Sequence, residues 1–169
     1  MKKISLAISL LLILLLPSCT VQERVSPLIF IDRLNEISDD FNFISENSYY
    51  DDNVFISFLD FKDLKSIAIK MQLSDDNSII KISLITINNS RAFELIKLLI
   101  ETYSPEEDSN VIFNELTGTE KGFCYSFGNE YTYSVFKSDK DIYFEVFINS
   151  QSDYSVPDLT LKPNDKIEF

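Results

Sequence analysis

Apolar residues recur along this chain at two periods, and the changes between them mark out its elements. Phe30, Leu34, Ile37 and Phe41 follow at spacings of four, three and four, which lines one face of a helix. Ser26-Pro27 precedes the stripe. Serine there accepts from an orphan N–H, and proline loses nothing at the first helical position. Phe41 and Ile44 either extend the stripe or begin an extended segment. NSYYDDNVFISFLDF then favours a hairpin, its aromatic and β-branched residues in strands and Asp51-Asp52-Asn53 in the turn. From Ile67 the period is two: Ile67, Ile69, Met71 and Leu73 alternate with smaller or polar residues, SDDN interrupts, and Ile80, Ile82 and Leu84 alternate with Lys81 and Ser83. A loop at Ser74 to Asn77 sets Met71 opposite Ile80, Ile69 opposite Ile82 and Ile67 opposite Leu84, with all the apolar residues on one face. It also sets Lys70 opposite Lys81, a like-charge pair costing roughly a few tenths of a kcal/mol.

A second helix is predicted over Arg91 to Tyr103, with Ala92, Leu95, Ile96, Leu99 and Tyr103 on its apolar face. Ser104-Pro105 ends it, because the residue before proline is pushed out of the helical region. The short run Val111-Ile112-Phe113 reads as an edge strand. Three alternating segments close the pattern: Phe123, Tyr125 and Phe127; then Tyr131, Tyr133 and Val135; then Ile142, Phe144, Val146 and Ile148. A loop at Gly128 to Glu130 places Phe127 opposite Tyr131 and Tyr125 opposite Tyr133, and the next turn places Tyr133 opposite Val146 and Val135 opposite Phe144. Tyr125, Tyr131 and Tyr133 are then core residues with hydroxyls at the sheet rim, and Cys124, Ser126, Thr132, Ser134 and Glu145 lie on the other face with Phe136, Tyr143 and Phe147. The order helix, strands, helix, strands, without alternating βαβ units, predicts an α+β fold. Its expected form is a two-layer antiparallel sheet of about five to seven strands with two helices packed on one face. The domain spans 26–149, and 150–169, with Pro157 and Pro163, reads as a C-terminal tail.

The start of the chain is different. Lys2 and Lys3 precede an unbroken apolar run from Ile4 to Leu16, and Leu16-Pro17-Ser18-Cys19 closes it. A basic region, an apolar stretch below the ~20 residues that span a bilayer and a small-residue close are the parts of an export signal. The stretch resembles the signal peptides of bacterial lipoproteins: Leu16, Ser18 and Cys19 match the lipobox, and Pro17 stands where that motif usually has a small or hydroxyl residue. The resemblance implies a signal peptide at 1–18, cleavage before Cys19, a lipid on its sulfur, and anchoring to the outer side of a bacterial membrane. Residues 19–25 then form the lipidated cysteine and a tether of ~15 Å.

Charge narrows the partners. Of 169 residues, 15 are basic and 27 acidic, and removing 1–18 leaves 13 against 27, a formal charge of −14. Phosphate neutralisation needs a basic surface, so nucleic acid is disfavoured, while a cationic partner is attracted. The chain has no histidine, which removes the commonest general base and metal ligand. Lipidation of Cys19 leaves Cys124 without a disulfide partner and expected to be inert. Asp51-Asp52-Asn53 and Asp75-Asp76-Asn77 lack the ligand spacing of a calcium loop and read as turns. No pair of carboxylates is placed across a cleft, so no enzyme activity, cofactor or metal is expected. Phe136, Tyr143 and Phe147 form the candidate binding patch: Phe136 falls opposite Tyr143, and Phe147 opposite Thr132, on the face away from the tyrosine-lined core. These features predict a noncatalytic, lipid-anchored envelope protein that binds or supports an assembly through an unidentified envelope protein. The alternative is an immunity or inhibitor lipoprotein that captures a cationic peptide or toxin.

Overall fold

The computed structural model describes residues 25–149. The expected signal peptide at 1–18, Cys19, residues 20–24 of the expected tether and the expected tail at 150–169 lie outside the described residues. Within them the chain is α+β, as the pattern predicts: one antiparallel sheet with helices against a single face.

Helix α1 (Pro27–Ile37) buries Phe30, Ile31 and Leu34. It stops before Phe41, because Ser38 turns extended while its N–H still donates to Leu34 O. Phe41 therefore opens strand β1 (Phe41–Asp51) instead of extending the helical stripe. Asp52, at φ 49, makes the left-handed turn into β2 (Val54–Phe61), and Lys62, at φ 50, makes the next one into β3 (Leu64–Leu73). Asp and Asn tolerate this conformation, whereas a lysine there is less usual. Lys62 is held by ion pairs to Asp40 (3.4 Å) and to Glu94 (2.6 Å).

Strand β4 (Ile79–Ile87) pairs with β3 two residues away from the expected register, with Ile69 opposite Leu84 and Met71 opposite Ile82. The loop is longer than SDDN: Ser74 N–H and Oγ both donate to Ser78 O, and the register shifts between Gln72 and Leu73. An even shift preserves the faces, so the apolar set stays together. It also moves Lys70 opposite Ser83 and Lys81 opposite Gln72, which removes the expected like-charge pair.

Helix α2 (Ser90–Tyr103) is capped by Asn89, whose Oδ1 accepts from Ala92 N–H at 2.9 Å. The run around Ile112 is not an edge strand. It lies in a third helix, α3 (Ser109–Thr117), because Asp108 Oδ1 accepts from the N–H groups of Asn110 and Val111 and because Ile112 and Leu116, one turn apart, reach the core. The far end of α3 is held by Lys137, a buried residue whose Nζ donates to the carbonyls of Thr117 and Thr119 and lies 5.7 Å from the Phe93 ring centre. A cation there complements the negative end of the helix.

Strands β5 (Gly122–Phe127), β6 (Tyr131–Lys137) and β7 (Asp141–Ile148) complete the sheet, in the order β1-β2-β3-β4-β7-β6-β5. β6 and β7 pair in the expected register, with Val135 opposite Phe144 and Tyr133 opposite Val146. β5 and β6 do not. Gly128 N–H donates to Tyr131 O, so the turn is the two residues Asn129 and Glu130, and Phe127 meets Thr132, Tyr125 meets Ser134 and Phe123 meets Phe136. A slip of one residue turns every side chain of a strand to the other face. Phe123, Tyr125 and Phe127 therefore leave the core for the face that no helix covers among the described residues, hereafter the helix-free face, and Cys124 and Ser126 point towards α3.

One core joins α1, α2 and α3 to the sheet, around Ile69, Met71, Ile82, Leu84, Leu95, Leu99, Tyr133 and Phe144. Each fully buried side chain of this size contributes about 1.5–3 kcal/mol. Two tyrosine tips within the core are matched, whereas the buried Ser57 Oγ has no partner among the described residues: Tyr103 Oη donates to Ile79 O at 2.8 Å, and Tyr133 Oη to Ser104 Oγ at 2.6 Å. The packing reaches back to Val25, which is buried and whose carbonyl accepts from Ile79 N–H.

Candidate functional site

The helix-free face of β4, β7, β6 and β5 is organised in rows by strand register. One row runs Ile85, Tyr143, Phe136, Phe123; the next runs Ser83, Glu145, Ser134, Tyr125; the third runs Lys81, Phe147, Thr132, Phe127. Phe136, Tyr143 and Phe147 thus lie on one face in the expected pairings, each half-buried. β5 adds three aromatic rings that the sequence pattern assigned elsewhere.

Those three rings form a ladder. Phe123 and Tyr125 lie with centroids 6.3 Å apart and planes within 15°, and Tyr125 and Phe127 lie 6.4 Å apart and within 14°. Phe123 also meets Phe136 at 4.6 Å, which ties the ladder to the expected patch. Exposure rises along the strand, from 38% for Phe123 and 40% for Tyr125 to 75% for Phe127. Contiguous exposed apolar surface is uncommon unless it contacts something.

The centre of the middle row, Ser134 and Glu145, is polar and buried. Glu145 pairs with the Lys81 ammonium and accepts from Tyr143 Oη and from Ser83 Oγ, the last at 3.1 Å. A buried carboxylate needs such partners, because its desolvation is otherwise uncompensated. Burial pushes the Tyr143 hydroxyl well above its usual range, and the hydrogen bond to Glu145 pushes it further. This tyrosine stays protonated and serves as a donor, holding its ring in place within the face.

On the other side of β5, a pocket of about 300 Å³ lies between α3 and the β5–β6 turn. Glu106, Glu107, Asp108 and Glu115 supply carboxylates, Val111 and Ile112 supply apolar wall, and among the described residues no basic side chain lines it. Three of the four also hold the fold. Glu107 accepts from Glu130 N–H at 3.2 Å and from Tyr133 Oη at 3.3 Å, Asp108 caps α3, and Glu115 accepts from Ser126 Oγ at 2.6 Å. Gly128 makes room for this arrangement, since a Cβ there would overlap the Glu107 carboxylate. Tyr133 is raised well above the usual tyrosine range, chiefly by burial. Among the described residues no three acidic or cysteine side chains gather at metal-ligand range.

Cys124 is buried on the α3 side, within hydrogen-bond reach of Thr119 Oγ1. The aspartate-rich segments sit in turns, Asp52 at φ 49 and Asn77 at φ 62. The ladder had no clear sequence signal: the central pair Asn129-Glu130 lacks the glycine and the positive φ that mark the favoured two-residue hairpin turns. No family model matches the sequence, and no curated protein or solved structure matches it.

Proposed function

We propose that the protein is a noncatalytic, lipid-anchored envelope protein that binds a partner through the helix-free aromatic face. The observation that carries this reading is the outward ladder of Phe123, Tyr125 and Phe127, continuous with Phe136 and bordered by Tyr143 and Phe147. Its rings are not spent on the core, and two strands away the buried Glu145 network holds a polar floor beside Tyr143. The absence of histidine and the engagement of Glu107, Asp108 and Glu115 in structural hydrogen bonds favour binding over catalysis. Anchoring rests on the leader: a diacyl chain on Cys19 holds a protein stably, since two chains exceed the marginal binding of one.

A second reading, capture of a cationic peptide or toxin by an immunity or inhibitor lipoprotein, is favoured by the pocket carboxylates beside β5 and by the overall charge of −12. Two experiments test these readings. Cys19→Ser is expected to abolish precursor processing and membrane association, and unchanged fractionation overturns the anchor. Phe136→Ser with Tyr143→Ser, and separately Phe127→Ser, are expected to lose the partner recovered with the parent chain. Undiminished recovery by folded variants removes the aromatic face from function.

A further inference from the structure

We propose that the outer edge of β5 receives an extended, lysine- or arginine-bearing segment of a partner protein as an added strand, an inference that rests on the aromatic face being the binding surface. The two edges of the described sheet differ. β1 breaks its register between Ile44 and Tyr49 and carries Glu46 and Asp51, the irregularity and charge by which edges resist pairing. β5 pairs with β6 without a break over all six residues, and GFCYSF contains no charge and no proline. Among the described residues no strand lies beyond it.

An added strand runs about 4.8 Å from its neighbour and turns alternate side chains to opposite faces, with a repeat of about 6.8 Å. The ring spacings of 6.3 and 6.4 Å in the ladder follow that repeat. One set of the incoming side chains therefore lies beside Phe123, Tyr125 and Phe127, where apolar or aromatic groups fit. The other set faces the α3 side, where Glu115, Glu107 and Asp108 surround the end of β5 and Val111 and Ile112 line the approach. The aliphatic stem and cationic head of lysine or arginine suit such a site. Main-chain hydrogen bonds supply affinity in this mode, and the alternating surfaces supply selectivity.

Charge decides among occupants. A second copy would bring net charges of −12 together, and anionic headgroups would be repelled in the same way. A cationic segment alone gains from the pocket and the ladder at once.

The test uses the full chain carrying Cys19→Ser and fluorescent peptides of about eight residues: alternating lysine and valine, alternating glutamate and valine, and the lysine peptide with central proline. Fluorescence anisotropy is expected to show micromolar binding of the lysine peptide, weakening about tenfold between roughly 50 and 300 mM salt. The glutamate and proline peptides are expected to bind at least about tenfold more weakly, since proline cannot complete the ladder. Glu115→Gln is expected to weaken the lysine peptide several-fold, and Phe127→Ser likewise. Equal binding of the proline peptide, or no binding of any peptide, overturns edge addition. Partner recovery that still depends on Phe127 would then leave the aromatic-face reading standing. Self-association at micromolar concentration, or binding to phosphatidylcholine vesicles, that is lost in Phe127→Ser and so runs through β5 rather than through the retained apolar leader, assigns the edge to another occupant and also overturns the proposal.

Discussion

The two faces of β5, β6 and β7 carry unequal shares of aromatic side chains, and the larger share is on the face without helices. Tyr131, Tyr133 and Phe144 point under the helices, whereas Phe123, Tyr125, Phe127, Phe136, Tyr143 and Phe147 point away. On the helix side the rings are closed in and their hydroxyls are matched, as in the Tyr133 bond to Ser104. On the other side Phe127 is 75% exposed, while the charged Glu145, on β7 beside Tyr143, is buried. In β5, unlike β6 and β7, apolar content therefore does not choose the buried face. Helix placement and turn length do, and they leave aromatic surface available for contact.

The comparison breaks most clearly by exchanging the roles of its two sides. Phe144→Ala is expected to cost about 3–5 kcal/mol in urea unfolding, because a fully buried ring leaves a cavity under α2 and α3. Phe127→Ser is expected to change stability by no more than about 0.5 kcal/mol. Similar losses at both positions would erase the distinction.

Next in size is the polar floor. Glu145→Leu is expected to cost about 1–3 kcal/mol, since Lys81, Tyr143 and Ser83 all lose their shared acceptor. A double-mutant cycle with Lys81→Met is expected to show positive coupling, and additivity would mean that the pair is not formed. On the helix side, Lys137→Met is expected to cost about 1 kcal/mol by releasing the carbonyl end of α3. Hydrogen exchange should then rise in α3 and remain unchanged in β3 and β4.

The smallest effect lies at the rim. Hydrogen bonding to Lys62 lowers the Glu94 pKa below its ordinary 4.5, and the same bond to Glu94 raises Lys62 above 10.5. A lowered carboxylate stabilises the fold above its unfolded pKa and loses that contribution as pH falls through the folded value. A raised lysine stabilises below its unfolded pKa and loses it as pH rises through the folded value. The pair therefore contributes fully between 4.5 and 10.5. Glu94→Gln is expected to flatten the stability profile at both ends of that window, slightly, because exposed pairs are well screened. An unchanged profile would discount the pair.

What could be read from the chain depended on which signals acted alone. In α2 the apolar stripe and Ser104-Pro105 agree, and the helix is where they place it. In β3 and β4 a two-residue shift changed the partners and spared the faces. In β5 the alternation of Phe123, Tyr125 and Phe127 argued for burial, but the Asn129-Glu130 turn set the opposite parity, and Glu115 and Thr119 meet Ser126 and Cys124 on the helix side. α3 was hidden because Val111-Ile112-Phe113 taken alone reads as a strand, while its helical signals, Asp108 and the Ile112–Leu116 spacing, lie outside that run. The pocket was hidden for the same reason, since its carboxylates converge only when α3 is a helix.

The most direct test is thiol accessibility along β5 in the native chain carrying Cys19→Ser. With the ladder outward, native Cys124 is protected from a soluble disulfide reagent, while a cysteine placed by Tyr125→Cys in a Cys124→Ser background reacts at close to the rate of an unfolded thiol. Rapid reaction of Cys124 together with protection at position 125 would contradict the register, and with it the aromatic face.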